Sequence, residues 1–199
     1  MKALSNYIAF DLEFNTVKDV SHIIQVSAVK FCDHKEVDSF DTYVYSDVPL
    51  QSFINGLTGI TADKLRDAPH LEEVLADFKT FVGDSSLIGY NALKSDLPLL
   101  DSYGLDLSSQ YALDVFDEAY ERRSSDLNGI ANLKLHTVAK FLEIDGKSHD
   151  SLEDARMTAL VYERFLEFDD NKAFLTQQEP QDTTNPFASL SGLSHFFDE

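Results

Sequence analysis

Residues 7–16 read YIAFDLEFNT, and this stretch decides the fold because its apolar run ends in two carboxylates. Tyr7 to Phe10 reads as a buried strand. Side chains alternate across a strand, so Asp11 and Glu13, two apart, share one face of the pleat. Like charges that close repel unless a cation or a proton stands between them. Hard oxygen donors on a rigid strand suit Mg²⁺ or Mn²⁺. The spacing alone also allows a plainer arrangement, in which one carboxylate caps a turn and the other faces solvent. The choice between them falls to the rest of the chain.

Outward from strand 7–13, the pattern predicts a strand over 23–32, a polar turn over 33–37 and a third strand near 38–45. Pro49 to Gly59 reads as a loop, with Thr61 as the N-cap of a short helix. Leu71, Val74, Leu75, Phe78 and Phe81/Val82 recur at helical spacing and predict a helix over 71–82. SLIG at 86–89 is a short buried strand, followed by a helix over about 94–103 and a strand over 111–116. Residues 132–144 form an amphipathic helix with Leu133, Leu135, Val138, Ala139 and Leu142 inward. The last helix covers about 150–167, with Leu152, Ala155, Ala159, Leu160 and Phe165 on its apolar face. A three-strand meander followed by strands alternating with helices implies an α/β fold with a mixed, five-stranded sheet flanked by helices. The expected domain is 1–168, and 169–199 is an acidic, polar C-terminal tail punctuated by proline.

Composition limits the function. At 199 residues the chain buries a sizeable core without disulfides. Cys32 is the single cysteine, which excludes an internal disulfide and fits a reducing, cytoplasmic setting. Residues 1–14 lack the apolar core of a signal peptide, and no apolar run reaches the roughly 20 residues of a membrane span. Residues 169–199 hold six acids and one Lys, so residues 1–168 carry −14 of the net −19. Such a body is unlike a protein that grips long nucleic-acid tracts on a basic face. A polyanionic substrate is therefore short, held locally or delivered by a partner, and surface acids kept for solubility explain much of the rest.

Three further segments bear on the carboxylate pair. Asp96 lies in IGYNALKSDLPLL, after the SLIG strand and at the entry to a helix. His149 and Asp154 lie in SHDSLEDARMTA, at the start of the last helix. Asp150 and Glu153 have the spacing of a capping box and read as structural. Each of Asp96, His149 and Asp154 has a structural alternative when taken alone: a helix-dipole acid, a loop histidine, an exposed helix residue.

Together these segments resemble the DEDDh branch of the 3′–5′ exonuclease superfamily, which includes polymerase proofreading exonucleases such as the epsilon type. The matching features are Asp11-Leu-Glu13, Asn91 to Asp96 and His149 to Asp154, in order, with similar intervening text over residues 7–166. Ser95 stands where the family often has an aromatic, and Phe14-Asn15-Thr16 replaces a glycine-containing loop. The resemblance implies an RNase H-like fold and Asp11, Glu13, Asp96, His149 and Asp154 as catalytic residues. Asp11, Glu13, Asp96 and Asp154 would hold two divalent cations, Mg²⁺ or Mn²⁺. Two such ions about 3.5–4 Å apart clamp the attacking and leaving oxygens of a phosphodiester. His149 is the implied general base, suited to the role near neutral pH and weakened in mild acid. Leu12, Phe14, Asn15 and Asn91 are the implied substrate contacts, Phe14 by stacking on a base. For Phe14 the alternative is core packing, and for Asn91 a turn former. Lys147 is a further candidate for a phosphate contact.

The implied substrate is the 3′ end of single-stranded or frayed nucleic acid, DNA before RNA, with nucleoside 5′-monophosphates as products. Two alternatives stand beside it. One is an RNA-trimming or short-oligonucleotide-degrading enzyme. The other is a catalytically idle interaction module acting through its tail, where Leu190, Leu193, Phe196 and Phe197 resemble a sliding-clamp docking peptide without its leading Gln. That peptide also suggests a clamp or polymerase partner.

Overall fold

The apolar run at the start of the chain becomes the central strand of one sheet. A computed structural model describes residues 3–146 and 150–178. In chain order the elements are β1 (Tyr7–Val17), β2 (Val20–Cys32), β3 (Lys35–Tyr43), α1 (Ser52–Thr58), α2 (Ala62–Arg66), α3 (Leu71–Val82), β4 (Leu87–Gly89), α4 (Asp96–Ser102), β5 (Ala112–Asp114), α5 (Val115–Glu121), α6 (Leu135–Phe141) and α7 (Ser151–Gln178). The sheet order is β3-β2-β1-β4-β5. β1, β2 and β3 run antiparallel, whereas β4 and β5 lie parallel to β1 and to each other. This is the expected mixed, five-stranded α/β sheet.

Both hairpins are tighter and longer than their apolar pattern. Lys18 and Asp19 link β1 to β2, and Asp33 and His34 link β2 to β3, all four at positive φ between 50° and 65°. Two-residue loops with positive φ at both positions match the twist of the flanking strands. The predicted turn over 33–37 therefore contracts to two residues. The polar ends of β1 and β2 also pair, with Thr16 Oγ1 and Ser21 Oγ 2.9 Å apart. Opposite Glu13 and Phe14, β2 carries an extra residue, Ile24, in a β-bulge. Ile24 packs with Ile54, Ile60 and Leu65 in a small cluster beneath α1 and α2.

The alternation along β1 sorts its side chains onto two layers. Ile8, Phe10 and Leu12 join Val74, Leu75, Phe78 and Val82 of α3 and Leu100 of α4 in the larger core. Phe78 meets Phe10 at 6.1 Å and Phe40 at 5.6 Å between ring centroids. On the opposite face Tyr7 stacks on Phe31 at 5.1 Å and meets Tyr162 of α7 edge-on at 5.2 Å. Asp11 and Glu13 continue the Tyr7 face, so the carboxylates look toward α7.

Other expectations change in detail. The Pro49–Gly59 loop contains α1, which buries only Ile54 and so leaves no stripe in the sequence; Gly59 ends it in a left-handed conformation at φ 69°. Thr61 caps α2 as expected, accepting from Lys64 N–H at 3.3 Å. The 111–116 strand stops at Asp114, which turns into the N-cap of α5. The 132–144 helix shortens to α6. Leu160 points outward at 38% exposure, and the buried stripe of α7 runs instead through Ala155, Thr158, Ala159, Val161, Tyr162 and Phe165. α7 also runs to Gln178, past the expected end at 167.

The chain divides into two compact units after Leu166. In the second, residues 167–178 continue the helix, and 167–176 are largely exposed. No helix among the described residues is long and apolar enough to cross a membrane. The tail peptide Leu190, Leu193, Phe196 and Phe197 lies outside the described residues.

Candidate active site

Three elements deliver the carboxylates. Asp11 and Glu13 come from β1, Asp154 from the first turn of α7 and Asp96 from the start of α4. Asp11, Glu13 and Asp154 each offer a carboxylate oxygen, and these oxygens all lie within 4.8 Å of one another. Asp154 belongs there because it extends the buried stripe of α7 by one turn beyond Thr158. Asp150 caps that helix: its Oδ1 accepts from Glu153 N–H at 3.4 Å and its carbonyl from Asp154 N–H at 2.8 Å. Ser151 Oγ donates to the Asp11 carbonyl at 3.0 Å, tying the helix start to the strand.

Asp96 joins the group through an unfinished edge of the sheet. Ile8 N–H donates to Ser86 O on the β4 side of β1, and alternate N–H groups point the same way. β4 ends at Gly89, so the N–H of Leu12 lies past its last residue, and Asp96 Oδ1 accepts it at 3.0 Å. Asp96 is 6% exposed. The loop before it is held by Asp114, whose carboxylate accepts from the N–H groups of Asn91 at 2.7 Å, Leu93 at 3.1 Å and Phe116 at 3.0 Å. The chain turns so closely here that a Cβ on Gly89 would lie 2.3 Å from that of Ala92.

The gathered charge perturbs these acids. Burial, then the charges of Asp96, Glu13 and Asp154, holds Asp11 well above the usual carboxylate range. Burial together with Asp154, Asp96 and Asp150 pushes Glu13 up to about 7. Burial raises Asp96 to about 6, against hydrogen bonds from Ser95 and the Leu12 N–H that favour its charged form. Converging hard oxygen donors that protonate for want of a counter-charge are the donor set a divalent cation fits.

The other predicted contacts divide. Phe14 is half-buried beside the bulge. Asn91 is exposed at φ 62°, and its carbonyl accepts from Lys94 and Ser95 N–H at 3.2 Å each, the geometry of a turn former. Asn15 is fully buried, and its side chain donates to Pro49 O and accepts from Gln51 N–H, both at 3.1 Å. These two bonds tie β1 to the chain before α1. The Leu12 side chain lies in the core and its N–H serves Asp96. His149 and Lys147 lie outside the described residues.

Sequence reasoning missed a second wall. A cleft of about 410 Å³ is lined by Asp11 and Asp154 on one side and by Leu57, Tyr90, Lys134 and His136 on the other. Tyr90 Oη donates to Leu133 O at 2.6 Å, fixing the chain just before Lys134. Lys134 and His136 were hidden in a stretch read only for its apolar helix face. Asp114 left a fainter signal, an N-cap residue type inside the strand predicted over 111–116.

Residues 8–162 match the sequence profile of the Exonuclease family. The DNA polymerase III PolC-type protein of Caldanaerobacter subterraneus subsp. tengcongensis is 34% identical over 163 residues, which are 81% of this chain and 12% of that protein. The chain thus spans about an eighth of such a relative. In fold it is similar to the nuclease domain of 3′hExo, a DEDDh family member bound to rAMP, with a TM-score of 0.66 and 21% identity over 82% of this chain and 92% of that one. It is also similar to E. coli exonuclease I in complex with a dA16 oligonucleotide, with a TM-score of 0.68 and 17% identity over 83% and 41% of the two chains. A strand that carries Asp11 and Glu13, a helix that adds Asp154 and a buried Asp96 sit within the matched stretch, and the chain belongs to the Exonuclease family.

Proposed function

We propose that the chain hydrolyses phosphodiesters from the 3′ end of single-stranded or frayed nucleic acid, DNA before RNA, and releases nucleoside 5′-monophosphates. The observation that carries this reading is the convergence of Asp11, Glu13 and Asp154 within 4.8 Å, two of which, Asp11 and Asp154, line an open cleft. These three, with Asp96 behind them, would hold two divalent cations, Mg²⁺ or Mn²⁺. Bound there, the ions supply an activated water and offset the negative charge that builds at phosphorus.

The chain's own residues set the stage for that chemistry. The Leu12 N–H holds the Asp96 carboxylate in place, and the α7 cap fixes the backbone from which Asp154 projects. His149 is assigned as the general base that takes the proton from the attacking water. Phe14 is assigned to stack on the terminal base and Asn91 to hold the turn beside it. The PolC-type relative, a DNA polymerase by name, supports DNA as the substrate and replication as the setting. The tail peptide is assigned to a clamp or polymerase.

The test is the degradation of 5′- and 3′-labelled single-stranded DNA and RNA with Mg²⁺ or Mn²⁺, for the wild type, Asp11→Ala and His149→Ala. Stepwise shortening from the 3′ end that both substitutions abolish is expected. No cation-dependent cleavage of either nucleic acid would overturn the assignment.

A further inference from the structure

Lys134, on the wall of the cleft, also lines a second hollow of about 380 Å³ with Phe116, Tyr120 and Arg123. Tyr120 and Arg123 in turn line a third, of about 550 Å³, with Ser124 and Asn128. The three hollows adjoin through shared walls. They lead from Asp11 and Asp154, past the start of α6, to the C-terminal end of α5 and the turn after it.

The charges along this route differ from those of the rest of the protein. In a chain of net charge −19, Arg66, Lys94, Arg122 and Arg156 are each paired with a carboxylate. Lys134 and Arg123 form no ion pair among the described residues, although both are exposed. Tyr120, which lines both outer hollows with Arg123, keeps 59% of its surface in water. Of the nearby acids, Asp117 already meets Lys94 at 3.4 Å, which leaves Glu121 on the wall of the third hollow. Two unpaired cations interleaved with an exposed aromatic suit a charged backbone whose unpaired bases offer π faces. A duplex would require a broader basic surface.

We propose that these hollows are the path of the single strand leading away from the scissile 3′ end, with Lys134 and Arg123 meeting backbone phosphates and Tyr120 stacking on a base. The path rests on the reading of the cleft as a strand-end hydrolase.

The experiment measures binding of fluorescein-labelled (dT)8 to the full chain in EDTA by anisotropy, as NaCl is raised. Each phosphate contact on a single strand contributes about 0.7 to the slope of log K against log [salt]. Arg123→Gln and Lys134→Gln are each expected to flatten the slope by about that amount. Tyr120→Ala is expected to weaken binding about tenfold and leave the slope in place. All three positions are exposed, and unchanged melting temperatures check that the variants fold. Wild-type protein that leaves labelled (dT)8 intact with Mn²⁺ overturns the reading of the cleft, and the path with it. Wild-type protein that shortens (dT)8, while all three variants bind it like the wild type, overturns the path alone.

Discussion

Replacing Glu13 with Gln is expected to stabilise the metal-free protein at pH 8 and to change it far less at pH 5. In the folded chain Glu13 is pushed up to about 7 from an ordinary value of 4.5. The folded state therefore holds this proton more tightly than the unfolded chain does. The resulting stability is fully present below pH 4.5 and is lost as the pH rises through 7. A displacement from 4.5 to about 7, at about 1.4 kcal/mol per pH unit, is worth about 3 kcal/mol. Glu13 keeps part of its surface in water, and screening brings the figure to about 2 kcal/mol. Gln is close to the protonated side chain in shape and carries no charge at any pH. In a domain of this size about 2 kcal/mol corresponds to roughly 4–8 °C in melting temperature. The assay is thermal unfolding of wild type and Glu13→Gln in EDTA from pH 5 to pH 8, repeated with Mn²⁺. The wild-type melting temperature falls relative to the variant as the pH rises, and Mn²⁺ raises the wild type more at pH 8 than at pH 5. Parallel pH profiles, or a variant less stable than wild type at pH 8, would refute the account of carboxylates crowded together without a counter-charge.

Three other outcomes test the scaffold. Asp114→Ala leaves three N–H groups without their acceptor and is expected to cost about 3 kcal/mol, read as a lower midpoint in urea unfolding and weaker Mn²⁺ binding by calorimetry. Gly89→Ala forces a Cβ into Ala92, so a loss of about 1–3 kcal/mol in the same urea assay is expected, whereas Gly56→Ala, with open space around it, serves as the control. Phe78→Ala removes a fully buried ring that touches Phe10 and Phe40 and is expected to cost about 3–5 kcal/mol by thermal unfolding.

The parts of the fold that were legible in sequence are those where burial writes a period. β1 was visible because Tyr7 to Phe10 is an unbroken apolar run, and α3 because Val74, Leu75, Phe78 and Val82 make a stripe that is buried as predicted. α1 was not visible, since it buries Ile54 alone and leaves Phe53 and Leu57 exposed. The hairpin turns carry Lys18-Asp19 and Asp33-His34 in place of glycine, so ordinary turn chemistry did not mark their limits. In the site, Asp11, Glu13, Asp96 and Asp154 were readable because motif and element agree. The partners of Asn15, Pro49 and Gln51, left no local signal because they lie more than thirty residues away. Lys134 and His136 escaped for the opposite reason: they sit among the apolar positions of α6, whose period conceals what its polar side faces.

The Tyr7–Tyr162 contact makes α7 a gauge for the site. From Tyr7 to Asp11 the strand advances four residues, about 13 Å. From Tyr162 back to Asp154 the helix covers eight residues, about 12 Å. Two elements of different pitch thus arrive at the cleft in step. Inserting one residue between Asp154 and Tyr162 would swing the carboxylate by about 100° around the helix while the aromatic contact stayed in place. A length change within either interval, 7–11 or 154–162, therefore breaks the register between the aromatic contact and the carboxylates.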